Sequence, residues 1–238
     1  MAADIREFIA AMKLSPRSQN NFRLSIKTLF EFAKSRGYLP KDHDEIEHVD
    51  EAKERVGKIE IYSPEQINEL LNRARPELVP FLAIGAFAGL RSAEIERLEW
   101  GQVKLAKGFI EVTAKNAKTG ARRLVPILPN LGQWLAPYAE KTGRVVPFDD
   151  LGFQLRELCT ASNTQKAFKW LHNALRHSFI SYRVAQIQNV AQVALEAGNS
   201  PQVIFSSYRE LVTPSEAFAW FSVAPEQSEK VVPMVAKA

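Results

Sequence analysis

The chain has 238 residues, 46% hydrophobic and 24% charged, and its 31 lysines and arginines against 27 acids leave a net charge of +4. That composition excludes wholesale disorder and leaves room for one large domain, or for a small one plus a medium one. A single cysteine, Cys159, excludes an intramolecular disulfide or a Cys-rich zinc site. The N-terminus has no signal-peptide core and no run approaches the roughly 18 apolar residues of a membrane span, so a soluble cytoplasmic protein without a membrane partner is expected.

Residues 4 to about 55 read as helical. In "NNFRLSIKTLFEFAKSRGYL", Phe22, Ile26, Leu29, Phe30 and Ala33 recur at helical spacing as one apolar stripe, stopped by Gly37 and Pro40. The charged segment "KDHDEIEHVDEAKERVGK" lacks an apolar face and reads as a linker ending near Lys58. A new unit opens at "YSPEQINELLNRA", where Ser63, Pro64 and Gln66 form a capping box. "PELVPFLAIGAFAG" is almost wholly apolar and predicts a core helix broken by Gly89. "LRSAEIERLEW" starts another, with Ile95 and Leu98 inward. The period then changes to two: "GFIEV" and "RRLVPI" predict a hairpin whose tip, "TAKNAKTGA", is basic. Helical patterning returns in "LGQWLAPYAEK", "DLGFQLRELC", a run from about 173 to 187, "VAQVALEAG" and "TPSEAFAWF", the last with a Thr213–Glu216 capping box. The expected fold is mainly α with a small antiparallel β-sheet (α+β): a helical N-terminal domain over 1–56, a larger domain over 57–225 and a tail over 226–238.

Charge is unevenly spread. No acid lies between Glu111 and Glu140, where Lys115, Lys118, Arg122 and Arg123 cluster, or between Glu157 and Glu196, where Lys166, Lys169, Arg176 and Arg183 lie. Two such tracts suit a surface facing a polyanion, or simply a solvated basic face. Individual candidates carry ordinary alternatives too. Arg91, at a helix start, suits an anion or an ion pair with Glu94. Lys118 at a hairpin tip suits solvent. Arg176, beside Leu175 and Phe179, is either a clamp or a snorkelling side chain. Tyr208 is a nucleophile only with cationic neighbours or a base, and otherwise a half-buried core residue. His172 and His177 are five apart and fall on different helix faces, which sets aside a metal pair.

In order and spacing these stretches resemble the boxes of the tyrosine recombinase (phage integrase) family. "GLRSAEIERLEW" resembles its first-arginine box and "AKTGARRLVPI" its β-hairpin lysine box. "ALRHSFISY" resembles its second-arginine box, and "EAGNSPQVIFSSYREL" its terminal tyrosine box. The resemblance covers about residues 60 to 222; the N-terminal helices are similar to the family's core-binding domain, shortened by about a helix. It implies a site-specific recombinase that cuts and rejoins DNA through a 3′-phosphotyrosine, without a cofactor or metal. Its partner would be double-stranded DNA, engaged by a homo-oligomer, a tetramer on paired sites. Arg91 and Arg176 would hold the scissile phosphate, Lys118 would protonate the leaving 5′-oxygen and Tyr208 would attack phosphorus. Glu94 would orient the first arginine, and Lys115, Arg122, Arg123, Lys166 and Lys169 would contact DNA.

Two positions depart from the family pattern. Asn173 stands three before Arg176, where the family has His or Lys, and Asn199 stands nine before Tyr208, where it has His or Trp. Neither asparagine titrates; the first suits a helix N-cap and the second a turn or a phosphate hydrogen bond. His172 is displaced by one position, and His177 is expected to pack behind the site. The final helix, with Phe218, Trp220 and Phe221, suits either a neighbouring subunit or its own core. Rival readings are a regulatory DNA-binding protein that does not cut, favoured by the two asparagines, and a DNA-relaxing topoisomerase.

Overall fold

The computed structural model describes residues 2–53, 59–113, 122–160, 167–208 and 212–226. Its contacts divide the chain into two units, Met1–Lys58 and Ile59–Ala238. No helix among the described residues is long and apolar enough to cross a membrane.

The first unit holds α1 (Ala2–Ala11) and α2 (Pro16–Ser35), the latter capped by Ser15 with Pro16 in its first turn. Its small core joins Ile5 and Ile9 to Ile46 and Val49, with Ile26 and Phe30 alongside. The helix α2 ends at Ser35, just before the expected stop at Gly37, which takes φ +74°, and the segment expected as a linker is in part core. Among the described residues of that charged stretch Ile46 and Val49 are the buried ones, a spacing too sparse to read as a face. Asn20 locks the segment by hydrogen bonds in both directions with Ala52. The α2 stripe is only partly used: Phe22 and Leu29 stay exposed.

In the second unit, α3 (Pro64–Arg73) carries the Ser63–Gln66 capping box. A single 3₁₀ turn, Pro76–Leu78, leads into α4 (Val79–Phe87), in which every residue is buried. This helix packs against α3 and against elements that follow it: the short α5 (Ser92–Glu96), α6 (Pro129–Leu135) and α8 (Ala174–Ile187). Two-residue periodicity yields the strands β2 (Phe109–Val112) and β3 (Arg123–Pro126), and the two-residue β1 (Val103–Lys104) pairs with β2, antiparallel in the order β1–β2–β3, with Ile110 opposite Val125. Ile110, Val112 and Val125 face the core, so the sheet has one buried face. The remaining helices are α7 (Leu151–Cys159), α9 (Val190–Ala197), α10 (Pro201–Tyr208) and α11 (Pro214–Phe221). β1 and α10 are absent from the sequence reading, because two residues carry no period and "PQVIFSSY" mixes apolar and hydroxyl side chains without a clear stripe.

Polar groups of α8 fix its place. Ser178 accepts from the Tyr62 N–H and the Tyr182 hydroxyl donates to the Tyr62 carbonyl, 2.8 and 2.9 Å. On the same helix Tyr182 stacks on Trp220, 4.4 Å between rings, and the Trp220 indole donates to Ala86 O at 3.1 Å. Trp220 therefore belongs to its own core, whereas Phe218 is 75% exposed.

One backbone position controls the approach to the site. Gly89 ends the α4 run at φ +64°, and a Cβ added there would sit 2.2 Å from the Phe179 ring of α8. Left-handed backbone disfavours a side chain, and so does the ring packed against it. Gly89→Ala is expected to lower unfolding stability by roughly 2–5 kcal/mol, read as a lower urea midpoint at unchanged slope.

Candidate active site

The turn at Gly89 delivers Arg91 to the N-cap position of α5. There its own N–H donates to Glu94 Oε2 at 3.0 Å, and its guanidinium Nη1 donates to Glu94 Oε1 at 3.1 Å. Glu94 is 2% exposed, so this is not the weak surface pair that spacing alone suggests. Its second partner comes from the sheet: Arg123, the first residue of β3, reaches both Glu94 oxygens at 3.1 and 2.7 Å. The Arg123 Nε donates to the Glu196 carbonyl on α9, 3.1 Å away. The Glu196 carboxylate is held in turn by Arg183 of α8 at 2.9 and 3.0 Å. A half-buried charge ladder therefore ties α5, β3, α9 and α8 together.

Arg176 enters from α8 and is 8% exposed. Its Nη1 donates to the Gly89 carbonyl, and its Nη2 donates to Asn199 Oδ1 at 2.9 Å. The same Asn199 oxygen accepts from Arg91 Nη2 at 3.0 Å, and Arg91 Nη2 also reaches the Gly198 carbonyl at 2.7 Å. One neutral oxygen is thus shared by two guanidiniums. Gly198 makes this turn at φ +65°, and a Cβ there would press on the Arg123 guanidinium at 3.1 Å. Burial, then the nearby Arg91, pulls the Arg176 guanidinium down to about 10.

The next residue on α8 points elsewhere, since successive helical side chains diverge by about 100°. His177 Nδ1 lies 2.6 Å from the Tyr208 hydroxyl at the end of α10, with the rings 5.6 Å apart. Tyr208 is 6% exposed. Burial pushes its phenol up, and Arg176 and Arg91 partly offset that. Burial, Arg176 and His172 push His177 down.

The structure thus brings together Arg91, Glu94, Arg176, His177, Asn199 and Tyr208. His172 and Asn173 are exposed and line a cavity of about 80 Å³ with Arg91 and Arg176. Asn173 occupies the N-cap position of α8 but at φ 57°, with no capping hydrogen bond from its side chain; its left-handed backbone turns the side chain away from the helix N–H groups. Arg123, expected to contact DNA, is instead turned inward as a strut for Glu94. His177, expected to pack behind the site, bonds the tyrosine. Arg122 is exposed and paired with Glu111 at 2.8 Å, and Lys169 with Glu60 at 2.9 Å. Lys115, Lys118 and Lys166 lie outside the described residues. The Arg183–Glu196 pair has no local signal in the sequence, because the two residues lie on different helices, 13 apart, and α8 already mixes polar and apolar side chains.

No family model matches the chain, and no curated protein sequence matches it. Solved structures do match. The Tn1549 transposon integrase in complex with a circular intermediate DNA is similar over 92% of this chain and 83% of that chain, with a TM-score of 0.66 and 15% identity. The lambda integrase dimer bound to a COC′ core site is similar over 98% and 82%, with a TM-score of 0.62 and 13% identity. XerA recombinase is similar over 91% and 80%, with a TM-score of 0.50 and 14% identity. The mainly helical fold with its small antiparallel sheet is that of the tyrosine recombinases, the family its four sequence boxes resemble.

Glu94 couples this site to stability. Burial raises its carboxyl, but the Arg123 and Arg91 hydrogen bonds and the pull of both guanidiniums outweigh that, so it lies below its ordinary value of 4.5. A depressed carboxylate stabilises the fold fully above the ordinary range and loses that contribution as pH falls through the folded value. Glu94→Gln is expected to cost roughly 3–5 kcal/mol at neutral pH. Urea unfolding should show the gap to wild type closing as pH is lowered from about 4.5.

Proposed function

We propose that this chain is a site-specific DNA recombinase of the integrase type, which cuts and rejoins double-stranded DNA through a 3′-phosphotyrosine. The observation that carries the reading is the convergence of Arg91 and Arg176 on one acceptor oxygen beside the Tyr208 phenol. Two guanidiniums around one oxygen match the non-bridging oxygens of a phosphodiester, and their charge would stabilise the pentacoordinate transition state. Asn199 Oδ1 then holds the place of a phosphate oxygen until DNA arrives. Lys118 would protonate the leaving 5′-oxygen, as the family resemblance implies. The attack stores the bond energy in the phosphotyrosine, so the reaction needs no nucleotide cofactor. Action on paired sites by a homotetramer is part of the same proposal, as are an N-terminal domain that grips DNA and further DNA contacts from Lys115, Arg122, Lys166 and Lys169.

A second reading has its own observation. Asn173 and Asn199 supply no titratable group, and Asn199 already satisfies both guanidiniums. That favours a DNA-binding regulator that does not cut. One assay separates the two. A library of duplexes of randomised sequence, each nicked just beyond the scissile phosphate, is incubated with the protein and assayed for SDS-stable, protease-sensitive adducts. Adducts that Tyr208→Phe abolishes while DNA binding persists support the enzyme; binding without adducts supports the regulator. Relaxation of arbitrary supercoiled plasmid would instead mark a topoisomerase.

Arg176→Ala is expected to slow adduct formation about 10²–10³-fold. DNA affinity should fall with salt on a log–log slope of roughly 0.9 per phosphate contacted, read by fluorescence anisotropy. Asn199→Asp places a carboxylate against both guanidiniums and competes with phosphate. It is expected to slow adduct formation by at least about 10²-fold while raising the melting temperature of the free protein.

A further inference from the structure

We propose that His177 is the group that takes the phenolic proton of Tyr208 when the tyrosine attacks phosphorus, and returns it when the DNA is rejoined. The inference rests on the recombinase reading and adds the proton acceptor that reading leaves unassigned.

Geometry carries it. His177 Nδ1 and the Tyr208 hydroxyl are 2.6 Å apart, across two different helices. That lies within the reach a general base needs. The carboxylates near the site are committed, and His172 is an exposed residue that lines the cavity beside Arg91 and Arg176. Glu94 is held by Arg91 and Arg123, and Glu196 by Arg183 and Gln192. Asn173 and Asn199 accept hydrogen bonds but cannot take a proton. Tyr208 is nearly inaccessible to solvent, which disfavours bulk water as the acceptor.

The electrostatics agree. Burial keeps the phenol protonated at neutral pH, although Arg176 and Arg91 ease its ionisation. Burial, Arg176 and His172 keep His177 neutral, so a ring nitrogen has a free lone pair. The same cations make an imidazolium costly while the site is empty. A phosphodiester seated between Arg91 and Arg176 brings a negative charge that offsets them. Proton transfer to His177 therefore becomes favourable as the substrate binds.

The step balances. The Tyr208 O–H bond breaks and its proton goes to Nδ1; the phenolate oxygen forms a bond to phosphorus as the P–O5′ bond breaks. The leaving oxygen takes its proton from a separate donor, the role the resemblance gives to Lys118. In the reverse step the 5′-hydroxyl attacks, the phenolate leaves and His177 gives its proton back.

The test uses the full chain with the nicked duplex library, and a parallel library carrying a 5′-bridging sulfur at the scissile linkage. A thiolate leaves without protonation, so this substrate bypasses the acid and still requires the base. His177→Asn keeps an acceptor for the hydroxyl but cannot take its proton. It is expected to slow adduct formation about 10²–10⁴-fold on both libraries, with DNA affinity unchanged. At subsaturating DNA, where the ionisation of the free protein is read, the wild-type rate should fall at acid pH with a midpoint below the ordinary histidine value of 6.5, and His177→Asn should lose that limb. A His177→Asn rate within a few-fold of wild type overturns the proposal, as does full rescue by the sulfur, which would put His177 on the leaving-group side. If the substitution lowers the folded fraction, the wild-type profile decides: a rate that stays flat from neutral pH down to the onset of acid unfolding overturns it. No wild-type adduct with binding intact removes the recombinase reading and this step together. Adducts formed equally well by both proteins remove this step alone.

Discussion

Three guanidiniums, those of Arg91, Arg123 and Arg176, crowd one region, and among the described residues the carboxylate that answers them is Glu94. Like charges at this spacing in a half-buried setting are costly unless something absorbs the excess. The fold absorbs part of it with backbone carbonyls at Gly89, Gly198 and Glu196 and with the Asn199 amide oxygen. All of these are neutral acceptors, so a net positive charge stays in place. A site built this way holds its guanidiniums rigid and still gains from a bound anion.

The scaffold exists to keep that arrangement from relaxing. The buried helix α4 ends in a left-handed glycine whose carbonyl receives Arg176 and whose missing side chain admits Phe179. Arg91 follows at the next helix start, pinned by Glu94 through both its backbone and its side chain. Arg123 braces Glu94 from the sheet, and Arg183 with Glu196 braces α9 against α8. The α9–α10 turn then presents Gly198 and Asn199, and α10 ends on Tyr208. The three arginines differ in one physical respect. Arg123 is held by a carboxylate and a carbonyl and does not reach Asn199, whereas Arg91 and Arg176 share the neutral Asn199 oxygen.

Much of the second unit is legible locally. The Ser63 and Thr213 capping boxes appear as the sequence predicts, as do the wholly apolar α4 and the period-two strands. The site is less so. Glu94 beside Arg91 reads as a minor helix-surface pair, and its worth comes from burial and from Arg123, 29 residues away. His177 looks like packing because its partner is 31 residues further on, at the end of a helix with no clear apolar stripe. Asn173 has the residue type and position of an N-cap, yet its backbone is left-handed and its side chain does not cap.

By itself the sequence determined most element types, the Ser63 and Thr213 caps, the apolar helix at the centre and the order of the boxes that resemble the tyrosine recombinases. These follow from period, propensity and order along the chain, which act over a few residues. Only the tertiary structure decided which arginines share the Asn199 oxygen and which is a strut for Glu94, and that His177 meets Tyr208. Those outcomes depend on how α4, α8 and the α9–α10 turn pack, and packing is set by the mutual burial of side chains far apart in the chain. Local pattern has no term for that distance.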